Sequence, residues 1–238
     1  MRTLTKAPRL RRWSSSLAVG TAMLGTFAFC ADAEARRPRQ QEQRRGGQWG
    51  VMLGGSACIP GKAKCTRDSV SEGGVTVDGQ TRPSFGLGTE LGYRFNRFVF
   101  LGASYNFGLF DTSYEVTGAS NYRRAYQNSI YALVRPILPV WRFDFGLGLG
   151  PGFSRQTFVL ENSDKDYSQG FSFKIEPTID IFITRRIFLG AKLDLLLNGH
   201  GKTCRQRGNT TSCNDTESRD LAPVHQMIFG LHIGGTFL

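Results

Sequence analysis

The chain lacks any apolar run long enough to cross a bilayer as a helix. Its best candidate, the stretch from Leu17 to Phe29, falls short of the roughly 20 residues a spanning helix requires. A bundle of membrane helices is therefore excluded. Histidine is scarce at three residues, and there are five cysteines in 238 positions, which leaves little material for a metal centre. Acids are also few, 19 against 30 Lys and Arg, so the formal charge is +11. An excess of that size suggests nucleic acid, but its placement argues against one. Residues 1–35 hold five bases and two acids, and Arg36, Arg37, Arg39, Arg44 and Arg45 follow at once. A surplus gathered at one end belongs to a leader and a tail, and no nucleic-acid partner is expected.

Residues 1–35 read as a secretory signal peptide. Arg2, Lys6, Arg9, Arg11 and Arg12 precede the apolar stretch, and small residues follow with Ala-x-Ala at Ala31–Ala33 and Ala33–Ala35. Cleavage is expected after Ala35. Residues 36–47 contain no large apolar side chain and read as a basic flexible linker. Loss of the leader removes Cys30 and leaves Cys58, Cys65, Cys204 and Cys213. An even number in an exported chain indicates disulfides. The local pairing, Cys58 with Cys65 and Cys204 with Cys213, is expected because short loops close at low entropic cost. Neither pair has C-x-x-C spacing, so zinc is disfavoured and no metal or cofactor is expected.

From about residue 48 onward apolar residues recur two apart. Phe85, Leu87, Leu91 and Tyr93 form one set, and Val99, Leu101, Ala103, Tyr105, Phe107 and Leu109 a second, broken only by Phe100. Further sets are Trp141 to Leu149, Phe171 to Ile181, Ile187 to Leu195 and Met227 to Ile233. Spacing of two means strand, since a helix would need three and four. Two weaker segments, Trp49–Ala57 and Ala125–Arg135, bring the number to about eight. In the second, Ile130, Ala132 and Val134 are taken as the outward set, which sends Arg135 inward. The connections alternate in length. Long ones are expected at about 58–82, 111–124, 161–169 and 198–222, short ones at 95–97, 136–140 and 184–186. Tight turns at one end and long loops at the other are the pattern of a transmembrane barrel. The expected fold is all-β, an antiparallel up-and-down transmembrane β-barrel of about eight strands over residues 48–238.

The faces between the apolar residues carry many glycines together with Glu90, Arg94, Arg135, Arg142, Asp144, Lys174, Glu176, Asp180, Lys192 and Asp194. That set is balanced in sign. An eight-stranded barrel is only wide enough for side chains to fill it, so these residues are expected to pair across a lumen packed against glycine. Trp49, Tyr93, Trp141 and Phe237 fall near the short-turn end, as an interfacial girdle requires. Pro177 lies inside a strand and predicts a bulge or local break there.

The motifs FGLGTELGYRF, RFDFGLGLGPGF and IFLGAKLDLLL, with the closing strand MIFGLHIGGTFL, resemble the small outer-membrane β-barrel superfamily of OmpA and OmpX type over about residues 48–238. The resemblance implies a bacterial outer-membrane location, contact with outer-membrane lipid, and recognition by the barrel-insertion machinery through an aromatic at the C-terminal end, here the penultimate Phe237. It implies little about activity. His200 is placed in a Ser-, Thr- and Asp-rich loop, where a serine–histidine hydrolase is conceivable, but no spacing couples a particular serine to it. His232 reads as a packed lumen residue. No enzyme is expected. The function expected is a monomeric structural barrel whose stapled loops present a surface for adhesion or other contacts. A narrow channel for small solutes is the alternative, and a lipid-modifying enzyme a more distant one.

Overall fold

A strand in lipid must find every backbone partner on a neighbouring strand, because no water is there to replace one. In the computed structural model this demand is met by closure. The described residues are 44–59, 70–72, 75–82, 84–116, 122–160, 162–214 and 224–237. They form β1 (Gly46–Cys58), β2 (Val70–Glu72), β3 (Val75–Arg82), β4 (Ser84–Asn96), β5 (Val99–Val116), β6 (Tyr122–Val140), β7 (Phe143–Leu160), β8 (Lys165–Phe182), β9 (Ile187–Arg207), β10 (Thr210–Asn214) and β11 (Gln226–Phe237). β4 through β9 pair consecutively, while β1 pairs with both β4 and β11, and β11 with β9. All these pairings are antiparallel, so eight strands, β1, β4–β9 and β11, make a ring without an edge. β3 pairs with the far part of β5, β2 with β3, and β10 folds back on β9.

Both ends of the ring lie at the short-turn rim, where Gly47 pairs with Phe237. By the usual asymmetry of such barrels that rim is periplasmic. The outward positions carry the alternating apolar sets, and Leu53, Leu91, Leu101, Ile130, Val134, Phe145, Leu149, Ile179, Leu189, Phe229, Leu231 and Ile233 are all exposed. An exposed apolar surface this continuous has no place in water. Aromatic residues border it. Tyr93 and Phe95 meet edge to face at 5.1 Å near the periplasmic rim, with Trp49, Trp141 and Phe237, and Phe107 lies 6.2 Å from Tyr126 towards the other.

Several boundaries differ from the sequence expectation. The first strand begins at Gly46, so Gly46 and Gly47 of the expected linker belong to the barrel. The short connection placed at 136–140 is strand, and the chain turns instead at Trp141–Arg142, with Trp141 at φ 54°. Three of the expected long loops are largely strand. β5 and β6 extend to Val116 and back from Tyr122, β7 and β8 reach Leu160 and Lys165, and β9 continues into the hairpin with β10. Polar residues on both faces hide such extensions from a reading based on apolar alternation. At Pro177 there is no bulge. Its pairing with Leu147 on β7 is kept, and the ladder to β9 is interrupted between Ile175 and Thr178 without change of register. The register of the β8–β9 pair shifts at Gln169/Gly170, where β9 carries the extra residue Gly201.

Placing a charge on the lipid face tests this orientation. Leu231 is 69% exposed at the middle of the outward set of β11. Leu231→Arg should cost about 2–4 kcal/mol, lowering the folded fraction in phospholipid vesicles as read by heat-modifiable gel migration. Normal folding of that variant would mean that this face does not meet lipid.

Candidate functional site

The interior is built by every second residue of the eight ring strands, and it is layered. Glycine supplies the space. A Cβ on Gly50 would stand 2.3 Å from His232 Nε2 and 2.9 Å from Glu90 Cγ, and one on Gly146 would stand 2.8 Å from Arg135 Cδ. Large polar groups therefore lie directly over bare backbone.

The central layer joins six strands. Arg135 on β6 donates from Nη1 to Glu90 Oε1 on β4 and from Nε to Glu176 Oε1 on β8, each at 3.0 Å, and Nη2 engages both carboxylates. Lys192 Nζ on β9 lies 2.7 Å from Glu90 and 2.9 Å from Glu176. Lys174 pairs with Glu176 and, at 3.2 Å, with Asp194, while donating to Ser104 and Asn106. Asn106 donates in turn to Asp194. His232 Nδ1 lies 3.0 Å from Asp180 Oδ1. Arg135 also rests over the ring of Phe100 at 4.9 Å. These groups are buried, a state that charges tolerate only when paired and hydrogen-bonded.

Nearer the periplasm, Arg94 donates to Asp144 Oδ2 at 2.6 Å, and Arg44 donates to the other oxygen at 2.5 Å. Arg44 precedes β1, yet its side chain is buried, donates to the carbonyl of Trp141 and lies 4.2 Å over Phe182. Burial pushes its guanidinium pKa down and Asp144 pulls it up, with Arg94 adding to the downward push. Beside this layer Gln48, Arg94, Arg135, Asp144, Thr178 and Asp180 are among the residues lining a cavity of ≈10 Å³, about the room of one water.

Towards the outside the charges give way to an apolar layer of Met52, Tyr131, Leu196 and Ile228, then to neutral polar groups. Gln127, Gln156 and Asn198 bond to one another, and Gln156 and Asn198 both donate to the carbonyl of Val224, which thereby lies against the interior just before β11. His200 is held between Ser154 at 2.6 Å and Ser168 at 2.8 Å. It is therefore a buried residue of β9 rather than a loop residue, and the far side of its ring meets a hydroxyl, not the carboxylate a hydrolytic triad uses.

Of the ten charged residues read from the sequence, nine are brought into the interior: Glu90, Arg94, Arg135, Asp144, Lys174, Glu176, Asp180, Lys192 and Asp194. Arg142 is the exception. It occupies the turn, is exposed, and donates to the carbonyls of Phe182 and Ile183. The turn, expected at 136–140, falls at Trp141–Arg142, which takes Arg142 out of the strand. Arg44 supplies the fifth base in its place, and nothing in a solvated-looking basic tail signals that role. Other omissions did leave a trace. Phe100, Phe188, Leu196 and Ile228 each adjoin an outward apolar residue, and a run apolar on both faces sends every other member inward.

Among the cysteines, Cys204 and Cys213 are disulfide-bonded across the β9–β10 pair. Cys58 is disulfide-bonded as well, and its expected partner, Cys65, lies outside the described residues. So do residues 1–43, with the expected leader and most of the linker.

Neither the known family models nor the curated proteins contain a match to this chain. Solved structures resemble it in fold. The outer membrane protein OprG from Pseudomonas aeruginosa aligns over 82% of this chain and 98% of its own, with a TM-score of 0.50 at 13% identity. Neisserial surface protein A aligns over 80% and 96%, with a TM-score of 0.48 at 13% identity. Ail, the attachment invasion locus protein of Yersinia pestis, aligns over 81% and 99%, with a TM-score of 0.41 at 13% identity. Likeness at this identity is a matter of fold. The chain thus shares with OprG the fold of a closed antiparallel β-barrel, here with its apolar face turned outward.

Proposed function

We propose that the protein is a structural, non-conducting barrel, monomeric in the membrane, whose extracellular strand extensions and stapled loops form a surface for adhesion or other contacts. The observation that carries this reading is the interlocked set Glu90–Arg135–Glu176–Lys192, which bridges β4, β6, β8 and β9 through the middle of the lumen. Above it the apolar layer and the Gln127–Gln156–Asn198–Val224 group fill the interior again. An ion entering such a lumen would have to displace paired charges and shed water, whereas aqueous channels belong to much wider barrels. Residues 1–35 act in this reading as the export leader, and the barrel-insertion machinery is the partner during assembly.

Planar-bilayer recording separates this function from the narrow channel. The wild-type barrel should show no sustained openings, and the triple truncation Glu90→Ala, Arg135→Ala, Glu176→Ala should create them. Sustained openings of the unmodified protein would favour the channel. Truncating Arg135 alone leaves two buried carboxylates with lysine partners only, so Arg135→Ala should lower unfolding stability by about 3–5 kcal/mol, measurable by urea titration in vesicles.

The surface role rests on the outer hairpin. The Cys204–Cys213 bond ties β9 to β10 beyond the lipid-facing region. Replacing both cysteines with serine should leave barrel migration on gels unchanged while exposing the bonds after Arg205 and Arg207 to trypsin. Unchanged protease resistance would remove the staple from the argument.

A further inference from the structure

On the outward face of β6–β9 the apolar region ends along one cross-strand row, Ile130, Phe153, Phe171 and Gly199, paired strand to strand. The next outward row on the extracellular side is Asn128, Arg155, Gln169 and Lys202, again in direct register. Its two bases differ from those of the lumen. Every lumen base meets a carboxylate, but Arg155 and Lys202 have no ion-pair partner among the described residues, and the nearby Asp164 and Asp166 are engaged by Arg207. Arg155 is also held in place. Its guanidinium lies 3.7 Å over the ring of Tyr167, and its Nε is buried without a hydrogen-bond partner. Asn128 is fixed by the hydroxyl of Tyr105 at 2.6 Å, with its amide nitrogen left to donate elsewhere.

We infer that this row is a binding site for the phosphate groups of anionic lipid headgroups in the outer leaflet. The next outward residue, two strand positions beyond the last lipid-facing side chain, stands at headgroup depth. Two strand spacings of about 4.8 Å set Arg155 and Lys202 about 10 Å apart along the row, a span suited to a headgroup with more than one phosphate. The stacked guanidinium offers a preorganised fork to phosphate oxygens, Lys202 a second charge, Gln169 an amide donor between them, and Asn128 another on the far side of Arg155. The stack on Tyr167 removes part of the ordering cost that a free arginine would incur on binding.

The test uses the whole barrel in detergent, mixed with lipid A or with phosphatidylcholine, and reads retained lipid by native mass spectrometry. The wild type should retain lipid A over phosphatidylcholine. R155Q/K202Q should weaken that retention by roughly fivefold per charge removed, while R185Q/R186Q at a periplasmic turn should leave it unchanged. Arg155→Lys, which keeps the charge and loses the fork, should fall between, and it preserves the test if the double variant fails to migrate as a folded barrel. Equal retention by wild type and R155Q/K202Q would overturn the site, as would an equal loss in the periplasmic variant. Displacement of lipid A by millimolar inorganic phosphate would also overturn it, since the row would then be an anion site without lipid selectivity.

Discussion

Charge neutrality inside a closed eight-stranded ring is the constraint on which the rest of this molecule depends. Lipid outside forces apolar residues outward, so the alternate residues of every strand face a space too narrow for bulk water. Moving an ion into such a space costs several kcal/mol even after relaxation, and the cost is met only where opposite charges arrive at the same height from different strands. Arg135 does this for Glu90 and Glu176, Lys192 for the same pair, and Arg94 with Arg44 for Asp144. The heights are set by register, so the network and the strand pairing specify one another. A slip of one residue would turn these charges into the bilayer.

Glycine and proline are placed in answer to the same constraint. Inward glycines such as Gly50 and Gly146 give up their side chains to His232, Glu90 and Arg135. The prolines show how a ring without an edge accommodates a residue that cannot donate. Pro136 keeps its partner Val99, Pro151 keeps Phe173 and Pro177 keeps Leu147, while in each case the ladder on the opposite side is interrupted. In an antiparallel sheet the N–H and C=O of one residue point to the same neighbour, so a proline disturbs only one of its two ladders. All three occupy outward positions, where the ring meets lipid and no lumen side chain is displaced.

The lipid-facing surface was legible in the sequence because it obeys a strict period of two, and nine of ten lumen charges followed from its complement. What remained hidden has physical causes. Arg142 gave way to Arg44 because the turn falls on Trp141–Arg142 itself while Asp144 still faces in, and apolar alternation carries no information on turn position where the strand reads Pro-Ile-Leu-Pro-Val. The outer layer of Gln127, Gln156 and Asn198 escaped notice, and His200 was read as a loop residue, because beyond the bilayer both faces of a strand are polar and the period disappears although the strand continues. The apolar layer around Met52, Tyr131, Leu196 and Ile228 was announced only by apolar neighbours in sequence, which alternation treats as noise.

The lumen and the outer rim thus answer to different requirements. Inside, every base has an acid and the set is closed on itself, which leaves no charge to offer a ligand. Outside, the bases of the row above Phe153 and Phe171 have no ion-pair partner among the described residues, and one of them is fixed against an aromatic ring. A fold whose interior must be neutral to exist can vary its recognition only where that demand ends, at the level of the headgroups and beyond. In the proposed reading, recognition is therefore a property of the strand extensions past the lipid, and it can change without altering the charges that hold the barrel together.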